Sequence, residues 1–67
     1  MKSITLNDGR EFCTNNDGTG LFSRRPEGTW QQMVGNGQVK FKNSASMRRY
    51  LRERFGVLGV RIVDARW

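Results

Sequence analysis

The chain is organised around NSASMRRYLRERFG, residues 43–56, which we interpret as its only helix. Either Asn43 or Ser44 begins it, because a short side-chain oxygen at that position accepts the first unpaired backbone N–H groups. Gly56 follows its last turn, where the left-handed backbone that ends many helices is favourable for glycine. The sequence therefore predicts one helix with a signal at each end.

This helix is amphipathic. Its apolar side chains recur at helical spacing and form one stripe, made of Met47, Tyr50, Leu51 and Phe55. Three arginines point away from that stripe, namely Arg48, Arg49 and Arg52, and Arg54 lies at its margin. One face therefore needs a sheet to cover it, and the other carries dense positive charge.

The rest of the chain supplies that sheet. Turn signals rich in Asn, Asp, Gly and Pro occur at 7–9, 15–19, 25–28 and 35–37. Between them we predict short strands over 3–6, 10–14, 20–24, 29–34 and 38–42, and a final strand over 57–67. The fold expected is α+β, an antiparallel meander packed against one helix with a C-terminal strand, in a single domain over residues 1–67.

Alternation assigns the two faces of most strands. In the fifth strand Val39 and Phe41 face one way, and the final strand alternates at Leu58, Val60 and Ile62. In the fourth strand three residues share one side, Trp30, Gln32 and Val34, opposite Thr29, Gln31 and Met33. Which of those two sides faces inward stays open.

Composition narrows the function. The chain has 67 residues, one cysteine and no histidine, so it lacks the commonest general base and any internal disulfide. The sequence predicts no enzyme, no cofactor and no metal site, and Cys13 is expected to pack as a small hydrophobe. We expect no signal peptide, and the sequence has no apolar run of about 20 residues that could span a membrane. We therefore expect a cytoplasmic protein.

Charge is uneven along the chain. The net charge is +6, and nine of the twelve basic residues are arginine. Residues 1–23 carry two basic and three acidic side chains, whereas residues 24–67 carry ten basic and three acidic ones. A charge concentrated in one part of a small domain favours a polyanionic partner, although a solvated surface that confers only solubility has the same composition.

The candidate site consists of basic side chains together with one aromatic side chain and one glutamine. It comprises Arg24, Arg25, Trp30, Gln31, Lys40, Lys42, Arg48, Arg49 and Arg52. Arginine and lysine neutralise phosphates, and glutamine and arginine also hydrogen-bond to base edges. The alternative for Trp30 is a place in the core. We expect these cations to converge on one solvent-facing patch.

A resemblance covers about half of the chain. Residues 20–55, GLFSRRPEGTWQQMVGNGQVKFKNSASMRRYLRERF, resemble the three-strand-plus-helix layout of the arm-type DNA-binding domains of tyrosine recombinases and, more distantly, plant ethylene-response-factor domains. The shared features are a strand ending at Ser23-Arg24-Arg25, a glycine turn before Trp30, and a strand with Phe41 before the helix. The resemblance implies that the exposed sheet face enters the major groove while the helix packs behind it. It implies these base readers: Arg24, Trp30, Gln31, Lys40 and Lys42.

Two functional hypotheses follow. The first is non-enzymatic nucleic-acid binding, DNA before RNA, by a small regulator of a phage or mobile element. The second is a protein-binding module or inhibitor that docks its basic face on an acidic surface of a larger protein. An edge strand could also pair with a second copy, which leaves a homodimer open.

Overall fold

The structure is a computed structural model that describes residues 2–35, 37–57 and 61–67. Its elements are, in chain order, β1 (Lys2–Leu6), β2 (Glu11–Thr14), β3 (Leu21–Arg24), β4 (Gln31–Val34), α1 (Ser44–Phe55) and β5 (Ile62–Arg66). The strands form one antiparallel sheet in the order β4-β3-β2-β1-β5. The predicted α+β fold, a meander against one helix with a C-terminal strand, is confirmed.

The turns follow their local chemistry. Between β1 and β2, Gly9 has a φ of +92° and donates its N–H to Leu6 O at 3.0 Å. The Asp8 carboxylate accepts from the backbone N–H and the Nε of Arg10, at 3.0 and 2.7 Å. Between β2 and β3, Gly18 lies against the backbone of Phe41, whose carbonyl oxygen would clash with any Cβ at that position.

Helix α1 is capped at both ends. Asn43 is the N-cap: its Oδ1 accepts from the Ser46 N–H at 2.9 Å, and its own N–H donates to Ser46 Oγ at 3.2 Å. Gly56 has a φ of +63° and donates its N–H to Leu51 O. The helix bounds agree with the prediction, and of the two candidate caps the structure has Asn43.

The core lies between α1 and one face of the sheet. Its buried side chains are Ile4, Leu6, Phe12, Leu21, Val34, Phe41, Met47 and Leu51. From the predicted helical stripe, Met47 and Leu51 are fully buried, Tyr50 is half-buried, and Phe55 is 42% exposed. The Tyr50 ring bridges the other two aromatics, with centroids 5.4 Å from Phe41 and 5.9 Å from Phe55.

The predicted strand over 38–42 is wrong. This segment forms only an isolated bridge from Lys40 to Thr19, because its backbone bonds the β2–β3 loop rather than a strand. Phe41 donates its N–H to Gly18 O at 2.8 Å, and Gly20 donates to Val39 O at 3.3 Å. The alternation nevertheless holds, since Phe41 is buried while Lys40 is exposed.

A β-bulge corrects the side assignment in β4. Leu21 pairs with Val34 and Phe22 with Gln32, so Met33 is an extra residue between them. An inserted residue interrupts the alternation of a strand. The prediction that Gln32 and Val34 share a side is therefore wrong. Val34 is buried in the core, and the half-buried Met33 packs against it.

The last strand is shorter than predicted. Among the described residues of 57–67, the strand is β5, and Ile62 is half-buried against the core. The predicted inward positions Leu58 and Val60 lie outside the described residues. Among the residues that the structure describes, no helix has the length and apolar character needed to cross a membrane.

Candidate functional site

The sheet separates the basic side chains into two groups. Ile4 and Phe12 are register partners and face α1, so their strand neighbours face the opposite way. We call that opposite side, which carries Ser3 and Thr5, the open face. The arginines of α1 lie beyond the other side of the sheet, so cations of the helix and of the open face are kept apart.

The first group forms what we call the α1 surface: Lys40, Lys42, Arg48, Arg49 and Arg52. Arg48, Arg49 and Arg52 line one depression of about 240 Å³ together with Ser44 and Ile62. Arg49 also borders a second depression of about 290 Å³, beside Lys40. Lys42 is exposed immediately before the N-cap, and its backbone N–H donates to Ser46 Oγ at 3.2 Å.

Positive charge dominates this surface. Among the described residues, no carboxylate lies within 4.0 Å of Lys40, Arg49 or Arg52. The first turn of α1 contains no acidic residue, and among the described residues that line the two depressions Glu53 is the one with an acidic side chain. The helix N-terminus adds a partial positive charge beside Lys42. The α1 surface is therefore suited to an anion.

The second group lies in a groove on the open face. This groove has a volume of about 560 Å³ and is lined by Ser3, Thr5, Glu11, Arg24, Trp30, Asp64 and Arg66. Arg24 donates to Glu11 at 2.6 Å, and its guanidinium carbon lies 4.7 Å from the centre of the Trp30 ring. Arg66 Nε lies 3.3 Å from an Asp64 oxygen. Each arginine here has a carboxylate beside it, so the groove is close to charge balance.

Cys13 lies on the open face of the sheet, in register with Ser3 and Phe22, and its side chain is fully buried. Burial raises the pKa of its thiol, which keeps the sulfur protonated and unreactive. The expectation that Cys13 packs as a small hydrophobe is confirmed. Among the described residues, no group of three or more potential metal ligands occurs.

The two remaining predicted residues, Arg25 and Gln31, belong neither to the α1 surface nor to the groove of the open face. Arg25 is exposed in the β3–β4 turn, and Gln31 pairs with Ser23 on the edge strand β4. With Arg24 they line a depression of about 310 Å³. Of the five base readers that the resemblance implies, Arg24 and Trp30 lie on the open face, while Lys40 and Lys42 lie outside the sheet strands.

The expectation of one convergent patch is therefore wrong. Four predicted residues meet in the adjoining depressions of the α1 surface, Lys40, Arg48, Arg49 and Arg52, with Lys42 beside the N-cap. Arg24 and Trp30 lie on the far side of the sheet, and Arg25 and Gln31 lie at the β4 edge. The physical reason is that a strand and the helix that covers it direct their outward residues to opposite sides.

Sequence reasoning missed the acidic half of the open face. Glu11 and Asp64 line the groove there although they are far apart in sequence. The alternation of Ser3 and Thr5 with Ile4 and Leu6 is a signal that marks this face as polar. Nothing local indicates that β5 pairs with β1, which is what brings Asp64 and Arg66 into the groove.

Comparison of the chain with protein-family models, with curated proteins and with solved structures found no match.

Proposed function

We propose that the protein binds nucleic acid without catalysing a reaction, DNA before RNA, and that the α1 surface is the contact. The observation that carries the proposal is the contrast in charge pairing. Arg24 and Arg66 each lie beside a carboxylate, whereas Arg49, Arg52 and Lys40 have no described carboxylate within 4.0 Å. Cations of this kind are available to a phosphate.

The helix is a rigid support for these cations. Met47 and Leu51 hold α1 on the sheet with no more than 1% of their surface exposed, and Asn43 and Gly56 fix its ends. Arg48 and Arg52 are one turn apart, which separates them by about 6 Å along the axis. A guanidinium fork on a fixed scaffold binds phosphate oxygens with less loss of entropy than a side chain on a loop.

Phosphate neutralisation predicts a specific salt dependence. If all five basic side chains of the α1 surface contact phosphates of a duplex, the log–log slope of affinity against salt is about −4.5. Such contacts position the protein without reading sequence. Sequence preference would then be modest, and it would depend on Arg–base contacts in a groove.

The test is fluorescence anisotropy with labelled duplex and single-stranded DNA at salt concentrations from about 50 to 200 mM. We expect the double variant Arg49→Gln/Arg52→Gln to reduce the magnitude of the duplex slope by about 2. Arg52→Gln and Arg25→Gln form a matched single-charge pair, and only the former should weaken binding appreciably. Absence of binding by the parent at the lowest salt would contradict the proposal.

A second candidate function is docking on an acidic protein surface. The observation that favours it is the mixture of apolar and basic groups in the second depression, where Tyr50, Val39 and Phe41 accompany Lys40 and Arg49. Tyrosine and arginine are enriched at protein interfaces. Capture from a nuclease-treated lysate, compared between the parent and Arg49→Gln/Arg52→Gln, tests it. In either case we propose a small regulatory protein acting in the cytoplasm.

A further inference from the structure

Strand β5 forms one edge of the sheet. It pairs with β1 on one side, and no other described strand lies on its outer side. Two large apolar side chains are exposed at this edge, Val63 at 60% and Trp67 at 37%. An edge with unpaired backbone groups and exposed apolar side chains is a template for another strand.

The sequence of this edge is complementary to itself. In an antiparallel pair of two copies centred on Ala65, Asp64 of each copy lies opposite Arg66 of the other, next to the 3.3 Å contact that Arg66 makes with Asp64 of its own copy. Val63 of each copy then lies opposite Trp67 of the other, and the two Ala65 residues face one another. Opposite charges and apolar pairs across two strands both stabilise a sheet.

Other registers lose this agreement. Centring the pair on Asp64 or on Arg66 places two like charges opposite each other, which destabilises the pairing. Centring it between Asp64 and Ala65 leaves each charge opposite an apolar residue. We infer that two copies of this protein associate through β5, antiparallel and centred on Ala65, to form one continuous sheet.

The local backbone is compatible with this register. The pairing of β5 with β1 shifts between Asp64 and Ile62, so Val63 is the extra residue of a bulge. Val63 is at the end of the proposed pairing, and the regular segment 64–66 carries its centre. The opposite edge, β4, contains no charged residue in its sequence QQMV and selects no register in this way.

The dimer would be symmetric, with its two-fold axis perpendicular to the sheet. Both copies of α1 then lie on the same side, and the two grooves of the open face lie side by side on the other. This inference does not depend on the proposed function, because none of the residues at the β5 edge belongs to the α1 surface.

A cysteine placed at the centre tests the register directly. Facing residues of antiparallel strands have Cα atoms about 4.5–5.5 Å apart, within the range that a disulfide spans. Ala65→Cys should therefore form a covalent dimer under mild oxidation on a non-reducing gel. The matched control is Val63→Cys, whose cysteine is exposed but lies opposite Trp67. The second control is the parent, whose single cysteine, Cys13, is buried. The control variant and the parent should both remain monomeric on the gel. Equal cross-linking of the two variants, or none in Ala65→Cys, would overturn the inference.

Charge exchange gives a second, independent measurement by sedimentation equilibrium. The mass of the parent should rise with concentration from 7.7 kDa toward twice that value. Asp64→Arg and Arg66→Asp each create two like-charged pairs and should weaken association about tenfold. The double variant Asp64→Arg/Arg66→Asp restores opposite charges in the same register and should recover it. A parent that stays at the monomer mass, or a double variant as weak as the single ones, refutes the dimer.

Discussion

The α1 surface and the open face contain the same kind of side chain in two different states. On the open face, Arg24 and Arg66 lie 2.6 and 3.3 Å from carboxylates. On α1, Arg49 and Arg52 are exposed with no described carboxylate within 4.0 Å. The number of arginines therefore does not define a binding site. What matters is whether the fold has already supplied each one with a counter-charge.

The largest effect is expected when the packing of α1 against the sheet is weakened, because this packing holds the α1 surface in place. Leu51→Ala removes a side chain that is 1% exposed and should lower the free energy of unfolding by about 2–5 kcal/mol. Urea unfolding followed by circular dichroism measures the loss. The exposed neighbour Arg54→Ala should change stability by only about 0.5 kcal/mol. A stable Leu51→Ala variant would show that α1 is not anchored as described.

Two substitutions at the helix cap distinguish an effect on stability from an effect on the charge of the α1 surface. Asn43→Ala removes the acceptor of the Ser46 N–H and should reduce stability by about 1 kcal/mol. Asn43→Asp keeps an acceptor there and should leave stability nearly unchanged, while its negative charge weakens polyanion binding. Thermal melts and anisotropy titrations of the two variants measure the two effects. Loss of binding in Asn43→Ala at temperatures where it is fully folded would contradict this separation.

The open face can be made to resemble the α1 surface by removing one carboxylate. Glu11→Gln takes away the partner of Arg24 in a pair whose side chains are 36% (Arg24) and 29% (Glu11) exposed. Solvent screening limits the loss of stability to about 0.5–1 kcal/mol. We expect polyanion affinity to rise, because Arg24 becomes available to phosphates.

Glu27→Gln is the matched control for that change. It alters the net charge equally in an exposed turn, where no described ion pair exists. A rise in affinity as large in Glu27→Gln as in Glu11→Gln would mean that overall charge, not the pairing of Arg24, controls binding.

The smallest expected effect concerns acid stability. The backbone N–H of Arg10, followed by its side chain, lowers the pKa of Asp8 in the folded protein. A carboxylate with a depressed folded-state pKa stabilises the fold above its unfolded pKa of about 4, and that contribution is lost as the pH falls through the folded value. Thermal melts between about pH 5 and pH 2 should therefore decline more steeply for the parent than for Asp8→Asn. Equal declines would show that the Asp8–Arg10 contact does not persist in solution.

Much of the fold could be predicted because its signals are local. The caps Asn43 and Gly56 define α1, and the Asn-Asp-Gly turn at 7–9 defines the first hairpin, since each acts within a few residues. The burial of Phe41 followed from simple alternation. The strand expected over 38–42 failed because its backbone partner, the loop around Gly18, comes from a part of the chain that sequence pattern alone does not bring near.

The candidate site was predicted residue by residue but not as an arrangement. Lys40, Arg48, Arg49 and Arg52 do lie together, because helical spacing already places three of them on one face. Arg24 and Trp30 were assigned to the same patch, and the structure places them on the opposite side of the sheet. The bulge at Met33 likewise separates Gln32 from Val34, which strict alternation places on one side of the strand.

Sequence alone was enough to place α1 and its caps, to predict the burial of Met47 and Leu51, and to show that the chain carries an excess of arginine. The carboxylate beside Arg24 depends on the tertiary structure, because strand pairing brings Glu11 to it over a long sequence separation, whereas Arg10 and Arg66 each contact a carboxylate two residues away. Local signals act through backbone geometry within a few residues, whereas a counter-charge from a distant part of the chain depends on the order and register of the whole sheet.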